Sequence, residues 1–384
     1  MENKVVKKLR KKTQKRKAVM TNNIALQKEP NDECYTSMKD IAAELSYWGD
    51  KLTGKRIICP CDWDILEGED VYSMTVEFSN KKEDDFFSPT YFVNKVEKIS
   101  YSLFEDPLQS FEIMQPEAED FWKNRLTCNF FRYLIKAGEQ YGAKSVTASG
   151  YDPKTGGGYS CLDIDYSNYD LVITNPPFSL LKNFLPTLTA QVQKRKTTEN
   201  PFDFIILAPA LNRLNSEAGL LQTKKIYFGY GRGLKMFFEN KGGKKVVLVD
   251  WLTSFSDAQD ELNARPSEKN NIKFEDYKDE YEVMENFKMK DGTPVYRIPP
   301  KLYPDDYYGW AFGSLHTIAI LNSNEFEFWA SSISNKIYKN KYGLDCPWEE
   351  VPGDDRYKYT LKNGEIATSF IGFVYRRKKD GKNV

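Results

Sequence analysis

The chain has 384 residues, and its 55 Lys and Arg residues balance its 55 Asp and Glu residues, so net charge indicates no partner. That length is enough for one large domain or two ordinary domains. The sequence has no run of 18 apolar residues and no apolar leader, so we expect no membrane span and no signal peptide. The six cysteines are scattered along the chain, which favours reduced thiols over a disulfide framework. The single histidine, His316, is in an apolar run, which argues against a zinc site and against histidine-based catalysis.

The first 30 residues form a basic segment with ten Lys or Arg against two Glu. A block of like charge such as "KKLRKKTQKRK" is expected to be disordered and to attract polyanions. We therefore predict an arm that contacts nucleic acid; the alternative is a solubilising tail. The candidate contacts are Lys8, Arg10, Lys11 and Lys12.

Helices and strands are then predicted in alternation. In the segment 31–48, Ile41, Leu45 and Trp48 recur at helical spacing. Residues 55–64, "KRIICPCDWD", indicate a short buried strand. Residues 65–120 are predicted to be an acidic insertion with two strand-like patches. Up to residue 120, and with Asp62 and Asp64 included, the stretch contains sixteen acidic residues and only four lysines. Such charge makes the insertion a poor DNA-facing surface.

The pattern continues to about residue 255. The predicted helices are 128–142 and 179–192, and the predicted strands are 144–153, 170–178, 202–210, 224–233 and 244–255. Apolar strands that alternate with helices predict a mostly parallel sheet covered on both faces. Residues 256–384 are polar and rich in aromatic residues, and "RPSEKNN" indicates a linker, so we expect a second, smaller and less regular module there.

One short motif, Asn175-Pro176-Pro177-Phe178, follows the apolar strand "DLVIT" and precedes a helix. Ligands of such sheets bind beyond the carboxyl ends of the strands. Asn175 offers a side-chain carbonyl, Pro176 a fixed backbone carbonyl, and Phe178 a flat ring. Two acceptors and a ring suit a planar group with an exocyclic NH₂, such as a base turned out of a duplex. The alternative is a turn that merely ends the strand.

These acceptors suggest a reaction. By holding both amine hydrogens, they would favour a nitrogen with an available lone pair, which could attack an electrophilic methyl group directly. No histidine, cysteine nucleophile or metal is needed for this chemistry, in agreement with the composition.

The chain resembles the EcoRI-type adenine-specific DNA methyltransferases. The motifs that carry the resemblance are "ECYTSMKDIAAELSYW", "RIICPCDWD", "CNFFRYL", "DIDYSNYDLVITNPPFSL", "GYGRG" and "WLTSF", in that order over about 31–255. The resemblance implies a Rossmann-like class I methyltransferase fold with a seven-stranded sheet. It also implies three regions: a basic arm (1–30), a catalytic domain (31–255) and a C-terminal target-recognition region (256–384).

The resemblance further implies S-adenosylmethionine as cofactor and a set of residues that bind it. Asp62 would lie at its methionine end, Asp163 (with Asp165 as rival) at its adenine amine, and Asp152 at its ribose. Tyr35-Thr36 resembles a YTP-like element, with Ser37 in place of proline, and the common glycine-rich FxGxG loop is absent. The implied cofactor residues are Tyr35, Thr36, Cys59, Asp62, Asp152, Asp163 and Asn175.

The implied activity is methylation of adenine N6 in duplex DNA, in restriction–modification or in phage or host DNA protection. Gly229–Gly233 is interpreted as a flexible turn near the target base, with Arg232 as a phosphate contact. We expect a cytoplasmic, nucleoid-associated monomer of bacterial or phage origin, with no membrane partner and with a cognate restriction endonuclease as a possible partner. The alternatives are a methyltransferase for RNA guanine-N2 or protein glutamine, and a non-catalytic nucleic-acid-binding protein with a decayed fold.

Overall fold

The computed structural model describes residues 36–63, 71–78, 90–95, 128–152, 157–209, 215–231, 234–240, 243–267, 269–285, 287–349, 358–361, 363–368 and 372–379. The chain divides into two compact units. The first comprises residues 1–210 and 229–254, and the second comprises 211–228 and 255–384.

Strands and helices alternate through the first unit, and short strands predominate in the second. The strands are β1 (Arg56–Cys59), β2 (Val71–Glu77), β3 (Thr90–Lys95), β4 (Ser145–Ser149), β5 (Tyr151–Asp152), β6 (Gly157–Gly158), β7 (Leu171–Thr174), β8 (Asp203–Pro209), β9 (Tyr227–Phe228), β10 (Leu234–Asn240), β11 (Gly243–Thr253), β12 (Glu282–Val283), β13 (Val295–Arg297), β14 (Trp310–Ser314), β15 (Phe326–Ala330), β16 (Lys358–Thr360), β17 (Ile366–Thr368) and β18 (Gly372–Arg377). The α-helices are α1 (Met38–Leu45), α2 (Gly49–Leu52), α3 (Asn129–Tyr141), α4 (Leu181–Arg195), α5 (Asn215–Gln222), α6 (Asp257–Asn263), α7 (Phe274–Tyr277) and α8 (Asn335–Ile337). Short 3₁₀-helices occur at Ser46–Trp48, Tyr166–Asn168, Lys278–Glu280, Pro300–Leu302 and Leu315–Thr317, and a π-helix at Tyr338–Tyr342.

Eight strands of the first unit form one mixed sheet in the order β10-β11-β8-β7-β1-β4-β2-β3. The four central strands, β8, β7, β1 and β4, pair in parallel. The strands on both flanks pair antiparallel. The expected α/β Rossmann-like class is therefore confirmed. Both strand-like patches of the acidic segment are strands, β2 and β3, that extend this sheet at one edge.

The helices of the first unit follow the apolar spacing read from the sequence. The side chain of Ser37 accepts a hydrogen bond from the Asp40 amide and so caps α1. Ile41, Leu45 and Trp48 are all buried, as the helical spacing predicted. Helix α3 buries mainly aromatic and aliphatic side chains and ends at Gly142, whose φ of 71° is a left-handed conformation that favours glycine.

An ion-pair network around the buried Asp170 fixes the amino ends of the central strands β1 and β7. Both oxygens of Asp170 accept hydrogen bonds from the guanidinium of Arg56, at 3.0 and 2.8 Å, and Arg195 donates a third at 3.1 Å. Burial opposes ionisation of Asp170, but the hydrogen bonds from Arg56 outweigh it and hold the pKa below its ordinary value. The network ties the amino ends of β1 and β7 to the carboxyl end of α4, at the edge of the sheet opposite the carboxyl ends of the strands.

The second unit contains a five-stranded sheet in the order β12-β13-β14-β18-β15, so it is more regular than the sequence suggested. Its core is aromatic and includes Trp310, Tyr303 and Tyr375, all buried. The guanidinium of Arg376 lies 4.2 Å from the ring centre of Trp310 and donates to Glu327 at 2.8 Å. Across the described ranges of both units, no helix is both long and apolar enough to cross a membrane.

Candidate active site

The carboxyl ends of the parallel strands define the candidate site. Strand β1 lies between β4 on one side and β7 on the other, so the strand order reverses at β1. A reversal of this kind opens a crevice beyond the strand ends, where doubly wound sheets bind ligands. The residues at these ends are Cys59 of β1, Ser149 of β4 and Thr174 of β7.

The Asn-Pro-Pro-Phe motif lies at this edge. All four residues of β7 are buried, and Asn175 follows directly at intermediate exposure. The Leu180 amide donates to the Pro177 carbonyl at 2.9 Å, which closes a turn before α4 begins at Leu181. Phe178 as a whole residue is only 6% exposed. Because so little of the ring is accessible, a planar ligand could contact only a small part of it in this conformation.

Asp62 connects the ends of three elements. Its carboxylate is 5% exposed; Oδ2 accepts the hydroxyl of Thr174 at 2.5 Å and Oδ1 accepts the thiol of Cys128 at 3.2 Å. Its backbone amide donates to the Ser149 carbonyl at 3.2 Å. Thr174 directly precedes Asn175. The Asp62 carboxylate beyond β1 is therefore bonded to the residue next to the Asn-Pro-Pro-Phe motif beyond β7. The sequence placed Asp62 at a strand end but gave no signal for Thr174.

Two buried hydroxyls near Asp62 suit a polar ligand. Thr36 Oγ1 and Ser149 Oγ are buried and have no hydrogen-bond partner among the described residues. Burying such a group without a partner costs about 1–3 kcal/mol. The Thr36 carbonyl accepts the side-chain amide of Asn129 at 2.8 Å, and Asn129 follows Cys128. With the Asp62 carboxylate, these groups fit a ligand that carries ammonium and carboxylate groups, as the methionine end of S-adenosylmethionine does.

Four cysteines of the first unit lie around the same edge, and all are free thiols. Burial raises the pKa of the Cys59 thiol well above its ordinary value, and its side chain is fully buried. The Cys59 thiol is therefore not accessible to a cofactor in this conformation. A hydrogen bond to Cys161, together with burial, raises the pKa of Cys61, and burial also raises that of Cys128. Because their pKa values are raised, the thiols of Cys59, Cys61 and Cys128 stay neutral and are poor nucleophiles.

The other acidic candidates differ in their surroundings. The side chain of Asp163 is exposed. That of Asp165 accepts the Ser167 amide at 3.0 Å, and this hydrogen bond lowers the pKa of Asp165. Asp165 therefore caps the following 3₁₀-helix, which leaves Asp163 as the better candidate for the cofactor adenine. The backbone of Asp152 pairs with Gly157 in the β5–β6 hairpin.

Several predicted residues lie outside the described ranges. These are Tyr35 of the YTP-like element, Arg232 of the glycine-rich segment, and Lys8, Arg10, Lys11 and Lys12 of the basic arm. Within the described residues, no group of three or more His, Cys, Asp or Glu side chains could hold a metal ion.

A Rossmann-like sheet with Asn-Pro-Pro-Phe at its carboxyl edge agrees with the resemblance to the EcoRI-type methyltransferases. In direct comparison, the chain is similar to the Type II methyltransferase M.EcoRI of Escherichia coli, with 25% identity over 222 residues. The match covers 55% of this chain and 56% of that protein, so the chain spans about half the length of this relative. No protein-family model matches the chain, and no solved structure matches it.

Proposed function

We propose that the protein is an S-adenosylmethionine-dependent DNA methyltransferase that modifies the N6 amine of an adenine turned out of duplex DNA. The similarity to a Type II methyltransferase supports methyl transfer. The observation that carries the proposal is the hydrogen bond between Asp62 and Thr174. It joins a candidate cofactor carboxylate to the Asn-Pro-Pro-Phe motif across two neighbouring strands.

The residues divide into a cofactor side and a target side. When bound, S-adenosylmethionine would supply an electrophilic methyl group. Asp62 and the buried hydroxyls of Thr36 and Ser149 bind its amino-acid end, while Asp163 and Asp152 bind its adenosine. On the target side, the Asn175 side chain and the Pro176 carbonyl accept the two amine hydrogens and leave the nitrogen lone pair directed at the methyl group.

A cognate restriction endonuclease is the proposed partner in the cell.

The second unit is the proposed target-recognition region. Three arginine side chains of this unit are already engaged within it. Arg297 pairs with Glu282 at 2.7 Å and Arg376 with Glu327 at 2.8 Å. Arg377 donates to the Asp305 carbonyl at 2.6 Å. Base contacts would therefore come from other side chains.

A direct assay tests the proposal. The protein is incubated with radiolabelled S-adenosylmethionine and, separately, with duplex DNA, tRNA or rRNA, and a release-factor peptide. We expect label in DNA, and sequencing that detects modified adenines would then give the recognition site. Incorporation into RNA or peptide alone would support the other methyltransferase classes. Failure to bind the cofactor in calorimetry would favour a non-catalytic nucleic-acid-binding protein.

We predict that Phe178→Leu weakens the complex with the turned-out base by about 1–2 kcal/mol, the lower part of the range for base–aromatic stacking. Leucine keeps most of the buried volume, whereas Phe178→Ala would also cost folding stability at this buried position. Affinity for DNA with a mismatched target adenine, measured by fluorescence anisotropy, reports the effect. Unchanged affinity, with an unchanged melting temperature, would show that the ring does not contact the base.

Removal of residues 1–18 is predicted to weaken DNA binding without altering the methylated sequence. The deleted segment contains nine Lys and Arg residues, and each lost phosphate contact reduces the salt slope by about 0.9. Affinity at several salt concentrations, measured for the full-length and shortened proteins, gives both slopes. A changed recognition sequence in the shortened protein would contradict a purely electrostatic role for the arm.

A further inference from the structure

Glu44 of α1 is a buried carboxylate that binds a segment 186 residues later in the chain. It is 2% exposed. Its Oε1 accepts the indole N–H of Trp48 and the backbone amide of Tyr230, both at 2.9 Å, and its Oε2 accepts the amide of Gly231 at 2.5 Å. Hydrogen bonds to an ionised group are stronger than neutral ones. Residues 229–231, the clamped loop, therefore have a fixed backbone.

The glycines of the clamped loop serve close packing rather than mobility. A Cβ atom at Gly229 would overlap Oε1 of Glu44 and lie 2.9 Å from Cβ of Trp251. At Gly231 it would lie 3.0 Å from Oε2 of Glu44 and 2.9 Å from the Trp251 ring. Backbone hydrogen bonds of 2.8 and 3.1 Å join both glycines to Trp251. The expectation of a flexible turn is thus replaced by a loop whose glycines admit the carboxylate.

The register of the sheet places the clamped loop at the edge that carries the candidate site. The loop is bonded to Trp251, which pairs with Leu207 of β8. The preceding residue of β8, Ile206, pairs with Thr174 of β7. The clamped loop therefore lies level with Asn175 across the sheet. Three inter-strand spacings separate the two, which is roughly 14 Å at the usual strand spacing. That separation is similar to the width of the DNA major groove, about 12 Å.

The clamped loop holds an aromatic pair at the surface. The ring of Tyr230 stacks on that of Tyr47, with centres 4.3 Å apart and an angle of 21° between the planes. Trp48, whose indole N–H is bound to Glu44, lies 5.2 Å from the same Tyr230 ring. Tyr47 is 59% exposed. An exposed aromatic ring on a rigid support can stack on a base that has left the duplex stack.

We propose that Glu44 is a positioning residue for DNA binding. Through the amides of Tyr230 and Gly231, it holds the Tyr47–Tyr230 pair against the nucleic acid beside the target base. This inference rests on the proposed DNA methyltransferase function. The carboxylate touches neither substrate nor cofactor, and its effect passes through the clamped loop to the exposed ring of Tyr47.

The test compares steady-state methylation of duplex DNA by the full-length protein and its variants. Glu44→Gln replaces one acceptor with an NH₂ group that would face a backbone N–H. We expect this variant to raise the KM for DNA about tenfold or more, the equivalent of losing one stacked base, with little change in kcat or cofactor affinity. Tyr47→Ala should act in the same direction, whereas Tyr47→Phe keeps the ring and should behave as wild type. Glu139→Gln, at an exposed position of α3, is the matched control.

The outcomes separate the inference from the function on which it rests. A wild-type protein that transfers no methyl group to DNA would overturn the proposed function. Suppose instead that the wild-type protein methylates DNA and that Glu44→Gln and Tyr47→Ala keep the wild-type KM for DNA. That result would overturn the inference alone, even if Glu44→Gln melts at a lower temperature. If Glu44→Gln fails to fold, Tyr47→Ala with a wild-type KM for DNA still overturns the inference, because the proposed effect of Glu44 passes through the Tyr47 ring.

Discussion

Asn175→Ala is expected to reduce methyl transfer to duplex DNA by at least about 10²–10³-fold, the usual cost of removing one preorganised polar group that stabilises a transition state. The side-chain carbonyl of Asn175 is the proposed acceptor for one amine hydrogen of the target base. Its position after β7 is fixed by the strand and by the turn that closes at Leu180. Alanine keeps the backbone of that turn, so the loss should fall on kcat.

Cofactor affinity is the control measurement for this variant. Calorimetry with S-adenosylmethionine should give a dissociation constant close to that of the wild type. Asn183→Ala, an exposed position on α4 eight residues later, should be fully active. If Asn175→Ala loses cofactor binding as strongly as it loses turnover, Asn175 supports the structure of the site and its role as an acceptor is wrong.

The architecture of the first unit could be predicted because its signals are local. Apolar runs such as that of β7, bounded by turn residues, indicated buried parallel strands, and the spacing of Ile41, Leu45 and Trp48 indicated a helix. Strand β10 was missed because the strand predicted over 224–233 stops just before it, and within that stretch the structure has only the short strand β9. Strand β15 was also missed, although alternate residues of "FEFWA" are buried, because an alternating pattern this short is ambiguous.

The contacts that organise the candidate site could not be predicted, because they join residues that are far apart in sequence. Thr174 reaches Asp62 across 112 positions, and Glu44 reaches Tyr230 across 186. Thr174 and Glu44 both lie within stretches that carry the resemblance, but neither residue had a predicted role there. A helix pattern explains why Glu44 is in α1, but only the folded chain shows that its carboxylate faces inward and meets backbone amides. Sequence thus identified the strands that carry the site, and the structure shows what links their ends.

Asp62 variants should have a large effect on the cofactor side of the site. Asp62→Asn removes the negative charge but keeps the shape and one acceptor. A hydrogen bond to a charged group contributes about 1.5–3 kcal/mol, so affinity for S-adenosylmethionine should fall roughly 10- to 150-fold if Asp62 binds its ammonium group. The melting temperature should change little, since the amide oxygen can still accept the hydroxyl of Thr174. Calorimetry and thermal denaturation measure the two effects separately.

Asp62→Ala separates binding from structural support. Alanine leaves the Thr174 hydroxyl and the Cys128 thiol without their acceptor, so unfolding free energy should fall by about 1–3 kcal/mol in addition to the loss of cofactor affinity. Asp50→Asn, at a position whose side chain is 75% exposed, should match the wild type in both measurements. If Asp62→Asn retains wild-type cofactor affinity while Asp62→Ala is destabilised, the carboxylate only joins the strand ends. The cofactor would then have to be held from the Thr36 and Ser149 side of the crevice, where two buried hydroxyls remain available.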